Sequence, residues 1–263
     1  MSKEINTLYK ALFDDANKNY QYQRKSIGIK ELSHFVAMKG ENYGKSDVRL
    51  FVIGRATNGW PPFPCDTARE FADEAEHRFT SDGFSWIANS KVDFNKLCND
   101  PPEGNQAYYL YKSPFWRVTY RIWKELQGNR SDLYFLEHIA WSNLYKIAPM
   151  ESGNPTVRMC SSQFEACKKI LDYEIRAYNP THILIVTGYD QWYAAKSFDF
   201  STIFKNNVFL GSNSNDRKRN VEGTAEYIID GESIPVVITC RPEGRNETEF
   251  TYEVLKTFEE IKN

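Results

Sequence analysis

The segment THILIVTG, residues 181–188, decides the fold because it contains a short, uninterrupted apolar run that ends in a threonine and a glycine. Three other runs have the same character: RLFVIG at 49–54, HIAW at 138–141 and PVVITC at 235–240. Short runs without polar alternation are typical of strands that helices cover on both faces, as in a parallel α/β sheet. We therefore expect these four runs to be adjacent, parallel strands, with 181–188 in the interior of the sheet.

Helical patterns lie around and between these runs. Segment 113–126 begins with Ser113 and Pro114, which suit a helix start, and continues with an apolar stripe. We also expect helices over 66–78, over a segment that starts at the capping-box pair Ser162 and Glu165, and over 247–262, with a loop and a helix between the third and fourth strands. The resulting prediction is a three-layer α/β/α domain with a mainly parallel four-stranded sheet at 47–263, preceded by an N-terminal helical extension at 1–46.

Composition restricts the classes of function. The formal net charge is −2, which argues against a protein that coats nucleic acid with a strongly basic surface but allows a local basic cleft. No run approaches the roughly 20 apolar residues of a membrane span, and the N-terminus lacks an apolar signal core, so a cytoplasmic protein is expected. The five cysteines form no Cys-x-x-Cys pair, which favours reduced thiols over disulfides or a metal site.

Basic residues follow three of the four predicted strands, namely Arg55, Lys146, Arg241 and Arg245. Ligands of parallel α/β sheets bind beyond the C-terminal ends of the strands. We therefore expect a basic crevice at this edge, although the whole chain is slightly acidic.

Three segments lie at the ends of the predicted strands, namely 52–58 (VIGRATN), 142–146 (SNLYK) and 240–243 (CRPE). In their order and spacing, these segments resemble the uracil-DNA glycosylase superfamily. The resemblance covers roughly residues 48–262 and implies a four-stranded parallel sheet between helical layers. It also implies an active site built from a loop after the first strand, an Asn at the end of the second strand and a loop after the fourth.

The chain departs from that pattern at three positions. Ala56 occupies the first-loop position where many members carry Asp or Asn, Arg55 replaces a Glu of the iron–sulfur branches, and Arg241 replaces the loop histidine. The cysteine pattern of the iron–sulfur branches is missing, so we expect neither a cluster nor another cofactor. Segment 78–83 resembles a branch in which an Asp supplies the missing carboxylate, which makes Asp82 the candidate. The alternative is that Asp82 caps a helix or belongs to a turn before Gly83.

The resemblance gives each candidate a chemical role. Cleaving an N-glycosidic bond produces a cationic sugar and a base anion, which require a carboxylate and a hydrogen-bond donor. Asp82 or Asn58 would position water, Asn143 would read the amide edge of a pyrimidine, and Arg241 would stabilise charge or grip a phosphate. Trp60 and Phe63 would stack a base, while Arg55, Lys146 and Arg245 would bind the rest of the substrate.

Each role has a structural alternative. Asn143 can satisfy backbone groups at a strand end, Arg241 can pair with Glu243, and Lys146 can be a solvated side chain. The aromatic residues of the loop after the first strand can pin that loop to the core.

Two classes of function follow. The first is a uracil-DNA glycosylase-like hydrolase that excises a damaged base from DNA. The second is a catalytically degenerate protein that binds nucleic acid or a nucleotide, single-stranded DNA included, in the same basic cleft. A third hypothesis is an enzyme that acts on a nucleoside or a sugar phosphate in the same basic crevice.

Overall fold

The computed structural model describes residues 2–27, 32–60, 67–81, 83–84, 110–129, 134–150, 153–211 and 219–262. Its α-helices are α1 (Ser2–Ile27), α2 (Ala68–Thr80), α3 (Pro114–Leu126), α4 (Val157–Tyr178) and α5 (Glu247–Lys262). The strands are β1 (Leu32–His34), β2 (Met38–Lys39), β3 (Leu50–Gly54), β4 (Ile139–Asn143), β5 (Ile147–Pro149), β6 (His182–Val186), β7 (Ala194–Ala195), β8 (Phe198–Asp199), β9 (Lys205–Phe209), β10 (Val221–Ile229) and β11 (Glu232–Thr239).

The main sheet has the strand order β2-β4-β3-β6-β11-β10-β9. Its four central strands, β4, β3, β6 and β11, run parallel to one another and correspond to the four apolar runs of the sequence. β6 lies between β3 and β11, as expected for segment 181–188. The prediction of four adjacent, parallel strands is therefore confirmed.

The sheet is larger and more mixed than predicted, because β2, β10 and β9 add antiparallel strands at its two edges. β10 and β11 form a hairpin around Asp230 and Gly231, which both have positive φ, at 51° and 86°. An Asp-Gly pair between two β-prone runs is a strong hairpin signal. A loop and a helix were expected between the third and fourth strands. The described residues of that region form a π-helical turn at Tyr189–Tyr193, a 3-10 helix at Phe200–Ile203 and, in addition, short strands and this hairpin.

Alternate residues of the central strands point into two separate cores. Phe51 and Ile53 pack in the core that α1, α2 and α4 cover, whereas Leu50 and Val52 pack in the core that α3 and α5 cover. Successive side chains of a strand point to opposite faces, so a run that is apolar at every position fills both cores. The molecule therefore has helices on both faces of a mixed sheet.

The N-terminal segment contributes to this core. α1 buries Ile5, Tyr9 and Leu12 completely. Residues predicted as part of a helical extension also form β1, which pairs with β5, and β2, which pairs with β4. The segment 1–46 is therefore not helical throughout.

The predicted helices are present, with one corrected start. α4 begins at Val157 rather than at Ser162, because the Oγ1 of Thr156 accepts a hydrogen bond from the backbone N–H of Met159 and caps the helix. Asn179 ends α4 in the left-handed conformation at φ 45°. None of the helices in the described ranges has both the length and the apolar character needed to cross a membrane.

Candidate functional site

A cavity of about 280 Å³ opens at the C-terminal ends of the parallel strands. Gly54 ends β3, Asn143 ends β4, Val186 ends β6, and Arg241 follows β11. These ends lie side by side because parallel strands place their carboxyl ends at one edge of the sheet. The cavity is lined by Gly54, Arg55, Ala56, Thr57, Asn58, Trp60, Ser113, Phe115, Trp141, Asn143, Val186, Arg241, Pro242 and Glu243.

Two side chains of β4 form the polar floor of the cavity. Trp141 and Asn143 are two residues apart, so they project from the same face of the strand. They are only 5% and 2% exposed. Among the described residues, neither the indole Nε1 of Trp141 nor the amide Nδ2 of Asn143 has a hydrogen-bond partner. A buried donor without a partner costs roughly 1–3 kcal/mol, so both donors are suited to an acceptor that a ligand supplies.

Gly54 makes room for this floor. Its position on β3 is directly opposite Asn143 on β4. A Cβ atom at residue 54 would lie 2.5 Å from the Oδ1 of Asn143 and 3.6 Å from the Nε1 of Trp141. Only a glycine therefore allows the strand to approach both polar groups this closely.

Aromatic rings fix the indole of Trp141. Its ring centroid lies 4.8 Å from that of Phe35, 4.9 Å from that of Trp116 and 5.5 Å from that of Trp60. Trp60 also packs against Phe35 while it lines the cavity. Trp60 thus packs against the core, which was the alternative to base stacking, and it also lines the cavity in which a base would stack.

Arg55 and Arg241 bring positive charge to the cavity. The guanidinium of Arg55 is half-buried and lies 4.6 Å from the ring centroid of Trp192. Burial and the charge of Arg241 lower the pKa of Arg55 to about 10, and Glu243 opposes this shift, so Arg55 stays protonated at neutral pH. Arg241 is about half-exposed and pairs with Glu243, which is the structural alternative considered for it.

Lys146 does not line the cavity, contrary to the expectation. Its side chain is fully buried, and its Nζ donates to Ser142 Oγ at 2.6 Å, to the backbone O of Asn143 at 2.9 Å and to Glu174 Oε2 at 2.8 Å. A lysine whose ammonium is surrounded in this way cannot contact a phosphate in the cavity. The chain turns after β4, so the side chain of Lys146 extends toward Glu174 of α4, on one face of the sheet, and not toward the cavity at the ends of the strands.

The other predicted residues have different positions. Asn58 lines the cavity, and its Oδ1 accepts a hydrogen bond from the backbone N–H of Gly153 at 2.8 Å, which ties two loops together. Arg245 is half-buried and is not part of the lining; it lies close enough to Cys240 to oppose the burial that raises the pKa of that thiol to about 12. Asp82 and Phe63 lie outside the described residues.

Sequence reasoning missed two residues that define the floor. Trp141 ends the apolar run 138–141, and its spacing of two from Asn143 is the signal that places both side chains on one face of a strand. Gly54 is the last residue of the apolar run 49–54, and a glycine in a strand often marks a close approach of another group. Ser113 and Phe115, at the start of α3, also line the cavity.

The sequence matches no protein-family model, and a search of curated proteins likewise gave no match.

Proposed function

We propose that the cavity binds a nucleobase, either in DNA or in a nucleotide. The observation that carries the proposal is the pair of buried donors on Trp141 and Asn143. They have no partner among the described residues, and both side chains line the cavity. The edges of nucleobases carry ring nitrogens and carbonyl oxygens that accept such hydrogen bonds. A nucleobase is therefore a ligand class that complements both donors.

The walls and size of the cavity agree with this ligand. Trp60 and Phe115 provide aromatic surface, on which bases stack. A volume of about 280 Å³ lies near the lower limit of small-molecule sites, which span roughly 300–1,000 Å³. The space suits one base with its attached groups rather than two stacked bases.

A glycosylase-like hydrolase is the second candidate, because the three segments that resemble the uracil-DNA glycosylase superfamily meet at this cavity. They contribute Arg55 and Asn58 after β3, Asn143 at the end of β4, and Arg241 after β11. Hydrolysis of an N-glycosidic bond also needs a carboxylate. Among the described lining residues that group is Glu243, which Arg241 engages, so the catalytic carboxylate of this proposal is Asp82.

Binding is tested by fluorescence titration of labelled oligonucleotides and nucleotides with the wild type and Asn143→Ala. We expect the substitution to weaken binding by about tenfold or more, because one hydrogen bond to the base is lost. The free energy of unfolding of both proteins is measured in parallel. Equal affinities of a correctly folded variant and the wild type would contradict the proposal.

Catalysis is tested by the release of uracil from single- and double-stranded DNA. The wild type is compared with Asp82→Asn, which keeps the size of the side chain and removes its charge. Release that Asp82→Asn abolishes supports the hydrolase. Binding without release in the wild type leaves the binding protein as the function.

A further inference from the structure

We infer that Arg55 and Arg241 form a subsite for one phosphate group that is joined to the nucleoside whose base occupies the cavity. The inference rests on the proposed function and adds a second chemical group to the ligand. The shared chemistry is a nucleoside phosphate. Its sources are a free mononucleotide, a phosphorylated strand end or an internal phosphodiester.

Arg55 is the fixed half of this subsite. Its guanidinium lies against the ring of Trp192 at 4.6 Å, and the N–H donors of a guanidinium lie in its plane. The contact with the ring does not use these donors, so they remain available to an anion. No carboxylate of the described residues lies within ion-pair distance of this half-buried charge. A partly buried cation without a carboxylate partner favours an anionic ligand.

Arg241 is the adjustable half. Arg241 and Arg55 both line the cavity, and the positive charge of Arg241 disfavours the charged form of Arg55. Two like charges therefore lie near each other at the wall of the cavity. Arg241 pairs with Glu243, but the two side chains are 49% and 45% exposed. Exposed pairs contribute only about 0–1 kcal/mol, so a phosphate can replace Glu243 at little cost. A phosphate has enough oxygens to accept hydrogen bonds from both guanidinium groups.

The positions of the other basic residues limit the subsite to one phosphate. Lys146 is buried with Glu174, and Arg245 does not line the cavity. The described part of the chain thus offers two arginines here rather than the longer basic track expected from the sequence. With one neutralised phosphate, the slope of log affinity against log salt for an oligonucleotide should be about −0.7 to −0.9.

The test compares deoxynucleosides with their 5′-monophosphates for uracil and the four DNA bases. For the base with the highest affinity, we expect the wild type to bind the monophosphate at least tenfold more tightly than the nucleoside. Arg55→Gln should lower this ratio several-fold, because one of the two arginines that bind the phosphate is lost while Arg241 remains. Arg176→Gln is the matched control, because Arg176 pairs with Asp172 on α4, lies outside the cavity lining and should leave the ratio unchanged.

Arg55→Lys provides a second variant that keeps the charge and removes the planar fork; an intermediate ratio is expected. Oligonucleotides with and without a 5′-phosphate distinguish the sources. Tighter binding of the phosphorylated strand indicates a strand end, whereas equal, salt-dependent binding that Arg55→Gln weakens indicates an internal phosphodiester.

The outcomes separate the two proposals. Equal affinity for nucleoside and monophosphate overturns the phosphate subsite and leaves the base site intact. A second outcome overturns the base site and retains the anion site. In it, inorganic phosphate displaces the ligand, binding does not depend on the base, and Asn143→Ala has no effect. Binding of neither ligand overturns both.

Discussion

Buried polar groups on the two faces of β4 differ in whether they have hydrogen-bond partners. On the face toward α4, Ser142, Lys146 and Glu174 are all fully buried, and every one of them is hydrogen-bonded. On the opposite face, Trp141 and Asn143 are almost as deeply buried, yet each has a donor without a partner among the described residues. One strand therefore carries a complete polar cluster on one side and an incomplete one on the other.

Buried polar groups that hold the fold together thus differ from buried polar groups that are available to a ligand. A complete cluster needs no further group and serves to hold elements together; Tyr9 of α1 also reaches Glu174, with its hydroxyl 3.3 Å from Oε1. An incomplete cluster beside a cavity leaves donors for a ligand. A missing partner alone is insufficient, because Trp123 and His182 also have unpaired buried nitrogens within the described structure and do not line the cavity.

The largest effect is expected for Lys146→Met. The substitution leaves the carboxylate of Glu174 fully buried without its cation, which typically costs about 3–5 kcal/mol. We expect a loss of this size in the free energy of unfolding, measured by urea denaturation.

The double variant Lys146→Met/Glu174→Leu is the control. It removes both charges and should recover most of the loss, because a buried ion pair contributes little beyond its apolar replacement. A loss below about 1 kcal/mol in the single variant would show that the cluster does not carry the structural role assigned to it.

A smaller effect, up to about 3 kcal/mol, is expected from the pH dependence of His182. Burial, with a contribution from Lys262, lowers the pKa of this imidazole from 6.5 to about 4. Between these values the unfolded state binds the proton and the folded state does not, so stability is lost as pH falls from 6.5 to 4. The ring packs edge-to-face on Phe258, and His182→Phe should remove this part of the pH dependence.

Urea denaturation of the wild type and His182→Phe at several pH values between 4 and 7 measures the difference. Parallel curves for the two proteins would mean that the imidazole titrates as it does in the unfolded chain.

Gly54→Ala should have an intermediate effect on stability and a strong effect on binding. The new Cβ would lie 2.5 Å from the Oδ1 of Asn143, so the amide must move, at a cost of about 1–3 kcal/mol. Gly54→Ala/Asn143→Ala removes the clash and should recover stability but not binding. If Gly54→Ala alone keeps both stability and affinity, the close approach of β3 to the cavity floor has no functional role.

The parallel core could be predicted from the sequence because its signal is local: runs such as 183–186 are apolar at every position, which is typical of a strand covered on both faces. The hairpin of β10 and β11 was not predicted, because its pairing is set by the turn at Asp230 and Gly231 rather than by an apolar run. Burial of a strand gives no sign of which polar group will find a partner. The sequence therefore predicted both Asn143 and Lys146 as binding residues. Only the three-dimensional arrangement shows that Asn143 keeps an unpaired donor at the cavity, whereas Lys146 is buried in an ion pair with Glu174.

The smallest effect, and the sharpest test of the comparison, is expected for Trp141→Phe. Phenylalanine keeps an aromatic ring among Phe35, Trp60 and Trp116 but removes the indole N–H. Because that donor has no partner within the described structure, the lost apolar contacts are partly offset and stability should change by only about 1 kcal/mol.

Binding should respond differently. The Nε1 of Trp123 is also buried without a partner in the described residues, and this tryptophan belongs to the same core but not to the cavity lining. Trp123→Phe should therefore change stability by a similar amount and leave ligand affinity unchanged, whereas Trp141→Phe should weaken binding about five- to tenfold, equivalent to about 1 kcal/mol. Titration of both variants with the same nucleotide decides the matter: equal affinities would mean that the ligand does not complete the unpaired face of β4.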